Sequence, residues 1–183
     1  MIPEIAHQMA LLPILWLAAL WAVEERRDPA LWWLAGVFAI SWMADTAAHW
    51  VDPWLISAVY PVSQAALVAV VLLKRDDALL FLFTITAIGI ISIAFQELQQ
   101  PNVLRSAAWG AIVAIVYPLP LGRLRASLLV TFGVGLVAWI LFAVMRDWPT
   151  WLIYQGARAA GIVLFCWAAS WSRVRLTLIP ART

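Results

Sequence analysis

The sequence predicts an all-α integral membrane protein, a bundle of seven transmembrane helices with its amino terminus outside and its carboxy terminus in the cytoplasm. Composition is the first reason: 65% of the 183 residues are hydrophobic and 12% are charged, whereas soluble domains carry about 25% charged residues. The second reason is a mean hydropathy of +0.91, spread over repeated apolar runs. The third is the uneven distribution of basic residues between alternate connections.

Seven apolar runs divide the chain, and each approaches the roughly 20 residues that cross a bilayer. They are 4–23, 30–51, 54–73, 78–96, 103–121, 126–145 and 150–171. Because they use most of the chain, we expect one transmembrane domain over 1–183 and no separate soluble domain. The expected location is the plasma (inner) membrane. The net charge of +2 gives no indication of a nucleic-acid partner.

The orientation follows from the basic residues in the short connections. Nine lie on one side: Arg26, Arg27, Lys74, Arg75, Arg123, Arg125, Arg173, Arg175 and Arg182. Two lie on the other side, Arg105 and Arg146. Basic residues favour the cytoplasmic side of a membrane, so the nine predict a cytoplasmic carboxy terminus.

An internal repeat appears when the sequence is shifted by 97 residues. Gly36 then meets Gly133, Trp42 meets Trp139, and Trp54 meets Trp151. The interpretation is two parallel copies, 4–75 and 103–173, with 78–96 as a linker helix. Parallel repeats of three helices are one known plan for a membrane path with its site at the repeat interface. The alternative is that biased composition and equal helix lengths produce the matches.

This three-plus-one-plus-three plan resembles the architecture of the sugar-transporting SWEET proteins and the vitamin-transporting PnuC proteins. The resemblance is one of architecture, since helices 1 and 5 lack a Pro-Gln signature and no functional residue is transferred. Microbial rhodopsins have the same helix number and orientation, but they need a lysine in helix 7. The only lysine here is Lys74, in a connection, and a retinal pigment is therefore excluded.

Two opposite charges lie well inside predicted spans. Asp45 is six residues before the outer end of helix 2, about 9 Å below it at 1.5 Å per residue. Arg158 is seven residues past Trp151 in helix 7, about 10 Å below the same side. A charged residue inside a membrane span is a candidate functional residue, and it usually has a partner of opposite charge or a polar one. We therefore expect Asp45 and Arg158 to pair.

Polar and aromatic residues at helical spacing surround this predicted pair. Helix 2 carries Trp42, Asp45 and His49 on one face, and the other helices add neighbours at the same depth. The predicted ligand-binding residues are Trp42, Asp45, His49, Tyr60, Gln64, Tyr154 and Arg158. They suggest an outward-facing polar cavity between helices 2, 3 and 7. The alternative is a structural charge pair that fixes helix packing.

The preferred function is a small-solute membrane transporter or binding protein whose partners are the lipid bilayer and a small polar or zwitterionic solute. In this interpretation Arg158 holds an anionic group, Asp45 a cationic group or a proton, and Gln64 with the tyrosines donates hydrogen bonds. A homo-oligomer is compatible with this function. No cofactor and no catalytic residue are predicted.

Two alternatives remain open. The chain suits a non-catalytic subunit or assembly factor of a larger membrane complex, because its connections are short. It also suits a membrane-embedded metal-dependent enzyme, because Glu4 with His7 and Asp45 with His49 offer carboxylate and imidazole ligands on consecutive helices. The chain has only two histidines and none of the familiar hydrolase motifs, so an enzyme is the less favoured class.

Overall fold

The computed structural model describes residues 2–24, 28–47, 50–51, 53–94 and 101–171. Within these ranges, the side chains of 2–11, 45, 53–55, 57–58, 88–89, 91–94, 101–103 and 171 are not described. The described chain is helical and has no β-strand, and each predicted apolar run corresponds to one helix. The helices are α1 (Ile2–Glu24), α2 (Pro29–Ala47), α3 (Pro53–Leu72), α4 (Arg75–Ala94), α5 (Pro101–Val116), α6 (Arg123–Met145) and α7 (Trp148–Trp171).

Local sequence explains where these helices begin. Proline is the first residue of α2, α3 and α5, a position where its missing N–H is not needed and its fixed φ suits the helix. Before α2, Asp28 accepts a hydrogen bond from the Ala30 N–H at 2.9 Å. Before α7, Asp147 accepts one from the Thr150 N–H at 2.9 Å. Both aspartates are therefore N-caps.

Helix α5 ends at Val116, five residues before the predicted end of its apolar run at 121. The chain continues with Tyr117-Pro118-Leu119-Pro120, and each proline lacks an N–H and disfavours helical backbone in the residue before it. Gly122 then takes φ +55°, a left-handed backbone angle that glycine adopts without a Cβ penalty. This turn directs the chain back into α6.

Helix α6 changes its winding in the middle. Its first part, Arg123–Leu128, is α-helical, Leu129–Val134 is a π-helix, and Gly135–Met145 is α-helical again. A π turn accommodates an extra residue, and such turns occur frequently at functional sites. The sequence pattern predicted a continuous helix here, with no sign of the wider turn.

Six helices form a ring in chain order. Each of α1, α2, α3, α5, α6 and α7 packs against the next, and α7 closes the ring by packing against α1. Helix α4 lies outside the ring, mainly against α3 and with a smaller contact to α5. The core is inside the ring, where Trp109, Phe132 and Phe165 are among the largest fully buried side chains.

The peripheral position of α4 agrees with its exposure. Ala78 and Ile85, seven residues apart and so on one face, are its buried hydrophobic residues among the described side chains. Leu80 and Phe83 are 69% and 76% exposed. Helix α4 therefore contributes one narrow stripe to the packing.

Two helical stretches, Arg123–Met145 and Trp148–Ser170, are long and apolar enough to cross a membrane. That statement concerns length and composition within the described residues. Four shorter apolar stretches are found in α1, α2, α3 and α5: Leu12–Glu24, Pro29–Ala44, Val59–Leu72 and Leu104–Val116.

Candidate functional site

A buried glutamine connects three helices at the centre of the ring. Gln64, on α3, is 1% exposed. Its Nε2 donates to the Val37 carbonyl oxygen at 2.7 Å and to the Ser41 Oγ at 2.6 Å, both on α2. Its Oε1 accepts from the Trp109 Nε1 of α5 at 3.0 Å. The amide is thus bonded at both ends, as buried polar groups require.

A small cavity of about 10 Å³ adjoins this network, a volume that holds a single water molecule. Its polar lining comes from Ser41, Gln64, Trp109, Thr131 and Arg158. Four apolar side chains complete the wall: Leu12, Phe38, Phe132 and Ile162. The cavity therefore lies where α2, α3 and α7 face one another, together with α1, α5 and the π segment of α6.

Arg158 brings a buried positive charge to the cavity from α7. Its side chain is 4% exposed, and its Nη1 donates to the Gln155 Oε1 at 3.3 Å. The guanidinium carbon lies 5.3 Å from the centre of the Tyr154 ring. Arg158 and Gln64 were both predicted as ligand-binding residues, and the structure brings them to the same cavity.

A second buried guanidinium belongs to Arg105, on α5. The side chain is 7% exposed. Its guanidinium carbon lies 3.7 Å from the ring centre of Trp139 and 4.8 Å from that of Tyr60. Trp109 contributes a third ring at 6.0 Å. Cation–π attraction of this kind strengthens when the charge is removed from water.

Tyr154 joins the two arginines through aromatic contacts. Its ring lies 6.1 Å from Trp109 and 5.2 Å from Trp139. Tyr60, Arg105 and Tyr154 lie in the first halves of α3, α5 and α7, whereas Trp139 lies in the second half of α6. These contacts require α6 to run antiparallel to the other three helices.

The remaining predicted residues have different positions. Trp42, half-buried on α2, stacks on Trp16 of α1 with ring centres 5.8 Å apart, and it does not line the cavity. Asp45 belongs to α2 but its side chain is not described, and His49 lies outside the described residues. The predicted Asp45–Arg158 pair therefore stays a prediction.

The alternative metal site also falls outside the described side chains, because it uses Glu4, His7, Asp45 and His49. Elsewhere in the described part of the chain, no group of three or more His, Cys, Asp or Glu side chains is suited to hold a metal ion.

Three residues of this centre were not predicted as site residues: Ser41, Arg105 and Trp109. Arg105 was counted with the connections, yet it lies within α5 and is buried. One signal was available, since Arg105 and Trp109 are four residues apart and so share a helix face. Tryptophans deep in an apolar run are usually core residues, however, and nothing in the sequence pairs Trp109 with Gln64.

No protein-family model, curated protein or solved structure matches this chain.

Proposed function

We propose that this protein is a small-solute membrane transporter or binding protein with seven transmembrane spans and an outside amino terminus. The observation that carries the proposal is a buried polar centre, built by Gln64, Ser41 and Arg158, inside a bundle with an apolar exterior. An ionised side chain inside a membrane bundle is costly and usually faces a pathway or a site.

The exterior of the bundle supports the membrane setting. Large apolar side chains are widely exposed, including Trp21 at 68%, Phe83 at 76% and Val144 at 77%. Soluble monomers rarely expose contiguous apolar patches larger than a few hundred Å². Lipid chains covering these helices would account for the exposure.

The order of the ring supports the three-plus-one-plus-three plan. Besides the contacts within each set of three helices, α3 packs against α5 and α1 packs against α7. A twofold axis that superposes α1–α3 on α5–α7 also superposes the α3–α5 contact on the α7–α1 contact. Helix α4 lies outside the ring, as expected of a linker helix. Leu12 and Trp109, which are 97 residues apart, both line the central cavity.

In the proposed cycle the structure corresponds to a closed state, because the central cavity has room for about one water molecule. A solute enters when the two sets of three helices part at their shared contacts, α1 with α7 and α3 with α5. Repeat interfaces of this kind are where rocking motions open transporters. Arg158 then holds an anionic group of the solute, and Gln64 offers hydrogen bonds.

The experiment is uptake of radiolabelled glycine and glycine betaine into liposomes containing the purified full chain. We expect uptake above that of empty liposomes, reduced at least about tenfold by Arg158→Gln, which removes a charged hydrogen-bond donor. The control Arg146→Gln removes an exposed arginine and keeps wild-type uptake. Absence of uptake, with copurification of an unrelated membrane protein, contradicts the proposal and favours a complex subunit.

Asp45→Asn tests the proposed Asp45–Arg158 pair in the same assay. A folded variant that has lost uptake supports a role in the solute site. A variant that unfolds at lower temperature but, once folded, takes up solute normally identifies the pair as a packing element.

A further inference from the structure

Arg105 is a buried cation near the positive end of its helix. It lies four residues after Pro101, the first residue of α5, and the first turn of that helix carries no acidic residue. The positive end of the helix dipole is at the same end. No carboxylate among the described residues forms an ion pair with Arg105, although its side chain is 93% buried, being 7% exposed.

Three aromatic rings lie against the guanidinium. Trp139 at 3.7 Å, Tyr60 at 4.8 Å and Trp109 at 6.0 Å come from three different helices, so the charge points into the ring of helices and away from its outer surface. Cation–π contacts offset part of the cost of removing a guanidinium from water, but they provide no acceptor for the Arg105 Nε, which has none in the described structure.

Two further donors next to Arg105 also have no acceptor. The Arg105 Nε, the Trp139 Nε1 and the Tyr154 hydroxyl are buried without a hydrogen-bond partner in the described structure. The Trp139 ring contacts both of the others, at 3.7 Å from the guanidinium carbon and 5.2 Å from the Tyr154 ring centre. Buried donors are almost always paired in folded proteins, so three unpaired ones on neighbouring side chains indicate a missing acceptor.

We propose that Arg105 binds the anionic oxygen group, a carboxylate or a phosphate, of a ligand at the end of the bundle where α5 begins. The planar guanidinium suits such a group because it donates two parallel hydrogen bonds. The Trp139 Nε1 and the Tyr154 hydroxyl provide the other donors. Arg105, Trp139 and Tyr154 do not line the adjoining Gln64 cavity, and occupation of their site does not depend on transport.

The anionic group has two sources, a small free carboxylate or the phosphate of an anionic lipid. The purified full chain is titrated with sodium benzoate in an uncharged detergent at constant ionic strength, with chloride as the balancing ion. In parallel it is placed in vesicles of phosphatidylcholine, with and without phosphatidylglycerol. The thermal unfolding temperature is recorded, because a ligand that binds only the folded state raises it.

We expect the unfolding temperature to rise saturably with benzoate, or to rise in vesicles that contain phosphatidylglycerol. The probe that produces the rise identifies the source of the anionic group. Arg105→Gln weakens the responding ligand at least about tenfold, as expected for loss of hydrogen bonds to a charged group. Arg146→Gln, the exposed control, leaves the response unchanged. The same response in both variants, or no response of the wild type in either arm, overturns the proposal.

Tyr154→Phe decides the question if Arg105→Gln does not fold. It removes one oxygen atom and keeps the ring contacts of the aromatic cluster. If Tyr154→Phe binds the responding probe about threefold or more weakly than the wild type, the site is supported. If the wild type responds and Tyr154→Phe binds the probe equally well, the proposal is overturned.

Discussion

At the scale of single residues, Gly161 shows how closely two helices approach. A Cβ added there would lie 2.8 Å from the Thr131 Cα and 2.7 Å from its Cβ, distances at which the backbone of α6 or α7 must move. Gly156, also on α7, has no atom within 4 Å of such a Cβ. Gly161 is therefore needed for the close approach of α6 and α7, whereas Gly156 has room for a side chain.

Gly161→Ala is expected to destabilise the fold by about 1–3 kcal/mol, the usual cost of overpacking. Gly156→Ala is the matched control and is expected to be neutral or to stabilise by up to about 1 kcal/mol, because alanine favours helix. The free energy of unfolding in detergent measures both. Equal effects of the two substitutions would contradict the close packing at Gly161.

Gln64→Leu is expected to destabilise by about 1–3 kcal/mol, since it leaves the Trp109 N–H and the Ser41 hydroxyl buried without their partner. The control is Ser63→Ala on the same helix. Ser63 donates to the Val59 carbonyl oxygen of its own helix at 2.9 Å, and its loss is expected to change the unfolding free energy by less than about 0.5 kcal/mol. A stable Gln64→Leu would show that the network contributes little.

At the scale of the helices, the π segment Leu129–Val134 sets the faces of α6. A π turn contains about one residue more than an α turn, so it changes the direction in which the following residues point by roughly 100°. It places Thr131 and Phe132 at the central cavity while Trp139 reaches Arg105. Deleting one residue of the π segment should therefore affect the packing of α6 differently from deleting one residue of its α-helical parts.

Deletion of Val134, which is 51% exposed, is expected to convert the π segment to α-helix and leave both ends of α6 in register. Deletion of Val137, 68% exposed and in the α-helical part, is expected to rotate Trp139 away from Arg105. Circular dichroism and thermal unfolding should therefore show that the Val134 deletion folds and that the Val137 deletion is severely destabilised. The reverse order of stability would contradict this account.

The beginning of α7 gives a pH dependence. Hydrogen bonds from the Thr150 hydroxyl and N–H hold the pKa of the Asp147 carboxyl below its usual 3.8. A carboxyl whose pKa is lower in the folded state stabilises it fully above 3.8, and that stabilisation is lost as pH falls through the folded value. The stability difference between wild type and Asp147→Asn should therefore shrink below about pH 3.8. A difference that stays constant with pH would rule out the charged cap.

At the scale of the whole molecule, the proposed orientation predicts which connections face outward. In a Cys166→Ala background, which removes the single cysteine, Arg146→Cys should react with an impermeant maleimide in intact cells. Asp77→Cys, at the exposed beginning of α4, should react only after permeabilisation. Because Lys74 and Arg75 lie beside Asp77, the rule that basic residues stay inside fixes this result. The opposite labelling pattern would invert the topology.

The sequence by itself determined the seven helices and their beginnings to within three residues, because apolar run length, proline and N-cap residues act within a few neighbours. It also grouped Gln64 with Arg158, and both line the same cavity. Tertiary structure alone decided the closed ring, the π segment and the aromatic surroundings of Arg105. Those features depend on which helix faces which, and helices that are apolar all round carry no periodic signal that selects a face. For the same reason Trp42, predicted as a ligand-binding residue, packs against Trp16 of α1.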